Sequence, residues 1–233
     1  MSETFKSQIK DLVDDLKAVF THVGLGGEAA EYKLLTQSFL YKFLNDKFLY
    51  QAKAIDASNS YEKLIDMSEE DYAWLLKFIG TSTAWLKPDQ LIETLHRQQN
   101  ESTFYETFEN TLNQIAIGNN DIFSVHTDGD TAIRLFDERL ITDTISDSSK
   151  RNEVAKAIIN LLARVKFDET IFSQGFDFFS TLFEYMIKDY NKDGGGKYAE
   201  YYTPHSVAKI IADILVGNDQ PSNVRIYDPS AGS

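Results

Sequence analysis

The sequence has no cysteine and only four prolines in 233 residues. Without thiols it forms neither a disulfide framework nor a thiolate metal site, which suits a reducing compartment. It also lacks an apolar run long enough to cross a bilayer, and its opening residues lack the basic and apolar regions of a secretory signal. We therefore expect a cytoplasmic protein that makes no membrane contact.

Basic side chains are also scarce. The chain has 23 Lys and Arg against 36 Asp and Glu, a formal net charge of −13. A protein that holds DNA through its phosphates clusters Lys and Arg on one surface, and no basic run here exceeds Lys150-Arg151. If the chain acts on nucleic acid, we expect a more basic partner to supply much of the binding. The simpler alternative is that the acidity only keeps the protein soluble.

Apolar and aromatic residues are abundant, at 42% and 13%, which excludes a disordered chain. Apolar residues recur at steps of three and four through most of the first 166 positions, which predicts amphipathic helices. Ser68 and Gly80 have the residue types that cap a helix start and a helix end. The predicted helices cover residues 2–23, 28–48, 68–79, 90–98, 102–117 and 151–165.

Three segments between these helices are not predicted to be helical. Residues 56–60 are predicted to form a loop, and Ile122-Phe123-Ser124-Val125 a short strand in an Asn- and Asp-rich region. Residues 141–149 are polar and are predicted to form a loop and helix cap. A change in composition after residue 166 marks a boundary. We predict a mainly α-helical domain over residues 1–166 and a second domain over residues 167–233.

The second domain contains a capped helix. After Gly194-Gly195-Gly196 comes Tyr201-Tyr202-Thr203-Pro204-His205, in which Thr203 suits an N-cap and Pro204 the first helical position. The apolar stripe that follows is Val207, Ile210, Ile211, Ile214 and Leu215. Free N–H groups at such a helix start could receive a carboxylate. The alternative is an ordinary capped helix with two core tyrosines.

A short apolar strand follows at residues 224–227 and leads into Asp228-Pro229-Ser230-Ala231-Gly232-Ser233. In α/β domains, a strand that stops at an acid and turns through glycine often holds a nucleoside cofactor. An ordinary surface turn is the alternative, since Asp-Pro and Gly-Ser are common in turns. The segment is neither a dinucleotide-binding fingerprint nor a P-loop.

Taken in order, these motifs resemble the start of the catalytic domain of N6-adenine DNA methyltransferases, specifically the modification subunit of Type I restriction–modification systems. The resemblance rests on the glycine loop, the Glu-Tyr-Tyr-Thr-Pro segment, the amphipathic helix, the strand and Asp-Pro-x-x-Gly-Ser. Two aromatic stretches, residues 39–48 and 176–187, are also similar to the family.

The resemblance implies an α/β, Rossmann-like fold for the second domain, here truncated after its first strand, and a binding site for S-adenosylmethionine. His205 stands where the family often has Arg. The three other histidines are scattered, and we expect no metal site. The implied cofactor-binding residues are Glu200, Tyr201, Tyr202, Thr203, Pro204, His205, Asp228, Gly232 and Ser233.

The implied reaction is methyl transfer from S-adenosylmethionine to adenine N6 at a specific DNA site. The family performs it with an (Asn/Asp)-Pro-Pro-(Tyr/Phe) loop, and none of the four prolines here is adjacent to another. We therefore expect the N-terminal part of a longer enzyme, inactive by itself. The implied partners are DNA, a specificity subunit, a second modification subunit and a restriction subunit.

Two alternatives remain open at this point. One is a single-chain adenine methyltransferase, with or without a fused nuclease. The other is a non-catalytic helical assembly module, in which the apolar faces at residues 39–48 and 176–187 bind a partner. Burial of those faces in the core is the simpler interpretation.

Overall fold

A computed structural model describes residues 3–27, 29–81, 83–123, 125–126, 132–167, 171–172, 203, 205–217 and 227. The chain divides into two compact units, Met1–Phe176 and Asp177–Ser233.

The described part of the first unit is mainly helical, as the apolar periodicity predicts. A 3₁₀ turn at Pro88–Gln90 precedes the helix that begins at Ile92, and two short strands pair antiparallel, with Val125 opposite Ile133. The elements are α1 (Glu3–His22), α2 (Ala29–Ile55), α3 (Tyr61–Ile65), α4 (Glu69–Ile79), α5 (Ile92–Gln98), α6 (Phe104–Gly118), α7 (Asn120–Phe123), β1 (Val125–His126), β2 (Ala132–Ile133), α8 (Leu140–Thr144) and α9 (Ser148–Arg164).

Helices α2 and α9 organise the core. Helix α9 packs against α1, α5 and α6, and α2 contacts α1, α4, α8 and α9. The two helices differ in pattern: α9 buries one apolar stripe, whereas α2 buries residues around most of its circumference. A helix that is apolar on several faces is one that lies among several neighbours. The burial around most of α2 is thus explained by its position among several neighbouring helices.

Local capping chemistry accounts for the ends of α4. The Ser68 hydroxyl accepts a hydrogen bond from the Asp71 N–H at 3.1 Å, which satisfies one of the free donors of the first turn. Gly80 ends the helix with a φ of 61°, a left-handed conformation that glycine adopts without steric cost. Both predicted caps are confirmed.

The predicted strand at residues 122–125 is wrong over its first half. Ile122 and Phe123 belong to α7, and the strand begins only at Val125. The Asn119 carbonyl accepts a hydrogen bond from the Ile122 N–H at 3.0 Å, so the chain leaves α6 directly into another helical turn. The side chain of Asn119 is itself bonded to the backbone of Trp85, at 2.6 Å to its N–H and 2.9 Å to its carbonyl. This contact is not visible in the local sequence.

The predicted loop at residues 141–149 is also partly wrong, because its first residues form α8. Leu140, Ile141 and Thr144 are buried there. The Glu109 carboxylate of α6 accepts hydrogen bonds from the Thr142 N–H at 2.6 Å and from the Thr142 hydroxyl at 2.8 Å. A polar segment thus becomes helical because a distant carboxylate binds its free donors. The Asp147 carboxylate accepts from the Ser149 N–H and caps α9.

The described part of the second unit is chiefly one helix, α10 (His205–Val216). It confirms the helix predicted after the Thr-Pro pair, and it ends at Gly217, whose φ is 61°. Tyr227 is 87% exposed. The aromatic stretch at 176–187, the glycine loop at 194–196 and most of the strand at 224–227 lie outside the described residues, so the Rossmann-like start stays a prediction. Among the described residues, no helix has the length and apolar character that crossing a bilayer requires.

Candidate functional site

The predicted cofactor segments lie in the second unit, and the structure describes two of their nine residues. Thr203 is exposed, and His205 is the first residue of α10. The first N–H groups of a helix have no partner within the helix, so the start of α10 offers donors next to Thr203. The other predicted residues, which lie outside the described part of the chain, are Glu200, Tyr201, Tyr202, Pro204, Asp228, Gly232 and Ser233.

In the first unit, a cleft of about 420 Å³ lies between α2, the start of α5 and the segment after α9. Its walls are both polar and aromatic. Its lining includes Lys42, Asn45, Asp46, Tyr50, Phe167 and Phe172.

The floor of this cleft is a buried ion pair on α2. Lys42 Nζ lies 3.0 Å from Asp46 Oδ1 and 2.9 Å from Oδ2, and the two side chains are only 4% and 10% exposed. The Asn45 amide donates to Asp46 Oδ1 at 2.8 Å, and the backbone N–H of Phe167 donates to Oδ2 at 3.0 Å. Burial lowers the pKa of the Lys42 ammonium, and the adjacent Asp46 carboxylate opposes that shift.

These contacts determine what the cleft can do chemically. Both oxygens of Asp46 are bound by donors, so the carboxylate is not free to act as a general base. Metal sites need several ligands converging on one point, and no group of three or more His, Asp or Glu in the described ranges could hold an ion. The arrangement is therefore a structural one, whose donors come from α2 and from the chain after α9.

Asn45 extends the same network to α5. Its Oδ1 accepts a hydrogen bond from the Ile92 N–H at 2.9 Å, and this N–H belongs to the first turn of α5. One turn earlier on α2, the buried Tyr41 hydroxyl donates to the Gln90 carbonyl at 2.6 Å, and burial raises the pKa of Tyr41. The stretch 39–48, noted above for its family resemblance, thus holds α5 as well as the chain after α9.

The apolar residues of that stretch face the core. Phe39 and Phe48 are fully buried and Leu44 is 3% exposed. This supports plain core burial over partner binding for the face at residues 39–48. A different exposed aromatic pair exists on α4, where Trp74 and Phe78 stack at 6.2 Å and are 51% and 69% exposed. Lys77 Nζ lies 4.8 Å from the Trp74 ring.

Comparison with known proteins shows what the second unit is similar to. Residues 174–233 match the family model described as N-6 DNA Methylase, and all nine predicted cofactor residues fall within this range. The whole chain is similar to the Type I restriction enzyme MpnII methylase subunit of Mycoplasma pneumoniae, at 23% identity over 98% of this chain and 42% of the relative. No solved structure matches.

These findings confirm the resemblance to Type I modification subunits that the motifs indicate. The similarity to the methylase subunit extends over the helical unit as well as over the methylase segment. The chain spans about two fifths of the length of this curated relative.

Proposed function

We propose that this chain is part of the modification subunit of a Type I restriction–modification system. The subunit transfers a methyl group from S-adenosylmethionine to adenine N6 at a specific DNA site. The observation that carries the proposal is the N-6 DNA methylase match at residues 174–233, together with an alignment to a methylase subunit along nearly the whole chain.

In this proposal the second unit is the start of a Rossmann-like methyltransferase domain, and residues 200–205 with Asp228, Gly232 and Ser233 bind S-adenosylmethionine. The position of α10 supports it, because the helix begins at His205, beside the Thr-Pro pair. A helix N-terminus favours a carboxylate through its free N–H groups and its dipole. An acid at the end of the following strand would suit the nucleoside part of the cofactor.

Methyl transfer itself is proposed to need a loop from outside these 233 residues. The sequence has no two adjacent prolines and therefore no (Asn/Asp)-Pro-Pro-(Tyr/Phe) loop to activate the adenine amine. The target base must also leave the duplex and enter a pocket. We propose that the chain alone is inactive and that the full-length subunit is adenine-specific.

The proposed partners are DNA, a specificity subunit, a second modification subunit and a restriction subunit, in the cytoplasm. The net charge of −13 supports an assembly in which another subunit makes most of the contacts with DNA. Because phosphate contacts supply most non-specific DNA affinity, an acidic modification subunit is expected to depend on a more basic subunit for its hold on DNA.

The test uses the full-length subunit with its specificity subunit. Asp228→Ala removes an acid from the proposed cofactor turn, and Gly232→Val crowds its backbone. Calorimetry should show S-adenosylmethionine bound about tenfold or more weakly in each variant, a loss of about 1.4 kcal/mol. The control is Asp143→Ala in α8, whose carboxylate is exposed and should leave the affinity unchanged. Wild-type affinity in both site variants refutes the assignment.

A further inference from the structure

The chain does not leave the first unit at the end of α9. After Arg164 it returns to α2 at Phe167, whose N–H is bonded to Asp46 and which is 7% exposed. Ile171 is also buried, at 5% exposure. The Phe172 ring lies 5.6 Å from the Phe43 ring and 5.4 Å from the Tyr50 ring. Phe43, Asp46 and Tyr50 are spaced by three and four residues, so they share one face of α2. We call Lys42, Phe43, Asp46 and Tyr50 the docking face.

The polar half of the docking face depends on the returning chain. A carboxylate removed from water is costly unless each oxygen is hydrogen-bonded. Lys42 and Asn45 on α2 supply part of what Asp46 needs, and the Phe167 N–H supplies the rest from 121 positions away. The Lys42 ammonium also lies 5.3 Å from the centre of the Phe167 ring. The same charged pair therefore contacts both the backbone and the side chain of Phe167.

These contacts are better suited to fixing the orientation of the chain after α9 than to increasing the stability of the fold. A buried ion pair is often no more stabilising than apolar residues of the same volume. Hydrogen bonds, however, fix direction and register, which apolar packing does not. Apolar residues at positions 42 and 46 would leave the Phe167 N–H without the acceptor that it has in Asp46.

We propose that the docking face anchors the chain after α9 at Phe167 and Phe172, so that this segment is held in one register against α2. Asp46 is then a positioning residue for that segment. The second unit begins at Asp177, five positions after Phe172, so little chain separates the anchor from the unit that carries the methylase match. The inference goes beyond the proposed function, because it does not require that the second unit be catalytic.

Limited trypsin digestion of the native full chain tests the proposal. Lys166 is exposed, and the bond after it contains the Phe167 nitrogen that Asp46 holds. Cleavage there requires the segment to open locally. Asp46→Ala should speed cleavage after Lys166 about tenfold or more relative to cleavage after Lys156 in α9, the scale expected for losing a hydrogen bond to a charged acceptor. General destabilisation would instead raise both rates together.

The matched control is Asp143→Ala, which removes an exposed carboxylate from an i,i+4 pair with Arg139 and should leave the ratio of the two cleavage rates unchanged. Phe172→Ala removes the aromatic contact while keeping the ion pair, and it decides the question if Asp46→Ala does not fold. It should raise the ratio severalfold. A ratio within about twofold of wild type in every folded variant overturns the proposal. Loss of DNA methylation in the wild-type assembly would bear on the proposed function alone.

Discussion

Helices α9 and α10 have the same kind of amphipathic stripe and differ in what covers it. Three stripe residues of α9, Val154, Ile158 and Leu162, are fully buried against neighbouring helices. On α10, Ile214 and Leu215 are 75% and 80% exposed. Both patterns predict a helix correctly. Periodicity therefore determines the element, whereas the free energy obtained from its apolar face depends on a partner surface.

The same two regions provide a matched pair of charges. Lys42 and Asp46 on α2 and Lys209 and Asp213 on α10 are both Lys–Asp pairs at i,i+4, with closest distances of 2.9 and 3.1 Å. The side chains of the first pair are 4% and 10% exposed, and those of the second 65% and 66%. Residue type, spacing and geometry agree, and only burial differs.

The largest expected effect comes from breaking the buried pair. Lys42→Met should lower the free energy of unfolding by about 3–5 kcal/mol, because it leaves a buried carboxylate without its cation. Lys209→Met should lower it by no more than about 1 kcal/mol, as for exposed pairs in general. Urea unfolding followed by circular dichroism measures both. Similar losses of unfolding free energy in the two variants would mean that burial does not determine how much each ion pair contributes.

Replacing leucine by alanine tests the difference in burial between the apolar stripes of α9 and α10. Leu162→Ala should cost about 2–5 kcal/mol, because it removes buried area and leaves a cavity. Leu215→Ala should change stability by at most about 0.5 kcal/mol, as an exposed substitution does. The same urea titration measures both, ideally in one series. An equal loss at Leu215 would show that the α10 stripe is covered in solution.

The smallest effect concerns an exposed carboxylate. The Asp56 pKa is lowered to about 2 by hydrogen bonds from the Ser58 N–H and hydroxyl and by Lys63. Because the folded pKa lies below the unfolded value, the resulting stability is present above about pH 4 and is lost as pH falls towards about 2. Asp56→Asn should therefore flatten the fall in Tm over that window. Ser58→Ala should give an intermediate slope. A wild-type slope in Asp56→Asn would contradict the assignment.

Local chemistry accounts for the elements that could be predicted. The helices with a strong apolar stripe and the Ser68 and Gly80 caps can be predicted, because each depends on residues within a few positions of one another. The departures occur where a distant group takes part. Glu109 binds the donors of Thr142 in α8, and Asn119 joins the backbone of Trp85. Neither partner is visible within a local window.

For the cofactor motifs, the sequence is more informative than the described part of the structure. Their order along the chain was sufficient to indicate the methylase family, which the match at residues 174–233 supports. Such motifs are recognisable because a close approach of backbone to ligand restricts residue type at fixed spacings. The stretch 39–48 resembles the family less specifically. Its sequence alone does not indicate the structural role of Asp46.

The sequence by itself determined the helical character of the first unit, the caps of α4 and the resemblance to Type I modification subunits. Periodicity, capping and motif spacing all depend on residues that are close together in the chain. Only the tertiary structure decided that Lys42 and Asp46 are buried while Lys209 and Asp213 are exposed. It alone brought Phe167 to Asp46 across 121 positions. The physical reason is that burial and long-range hydrogen bonds arise from packing between elements, and no pattern within one element specifies its neighbour.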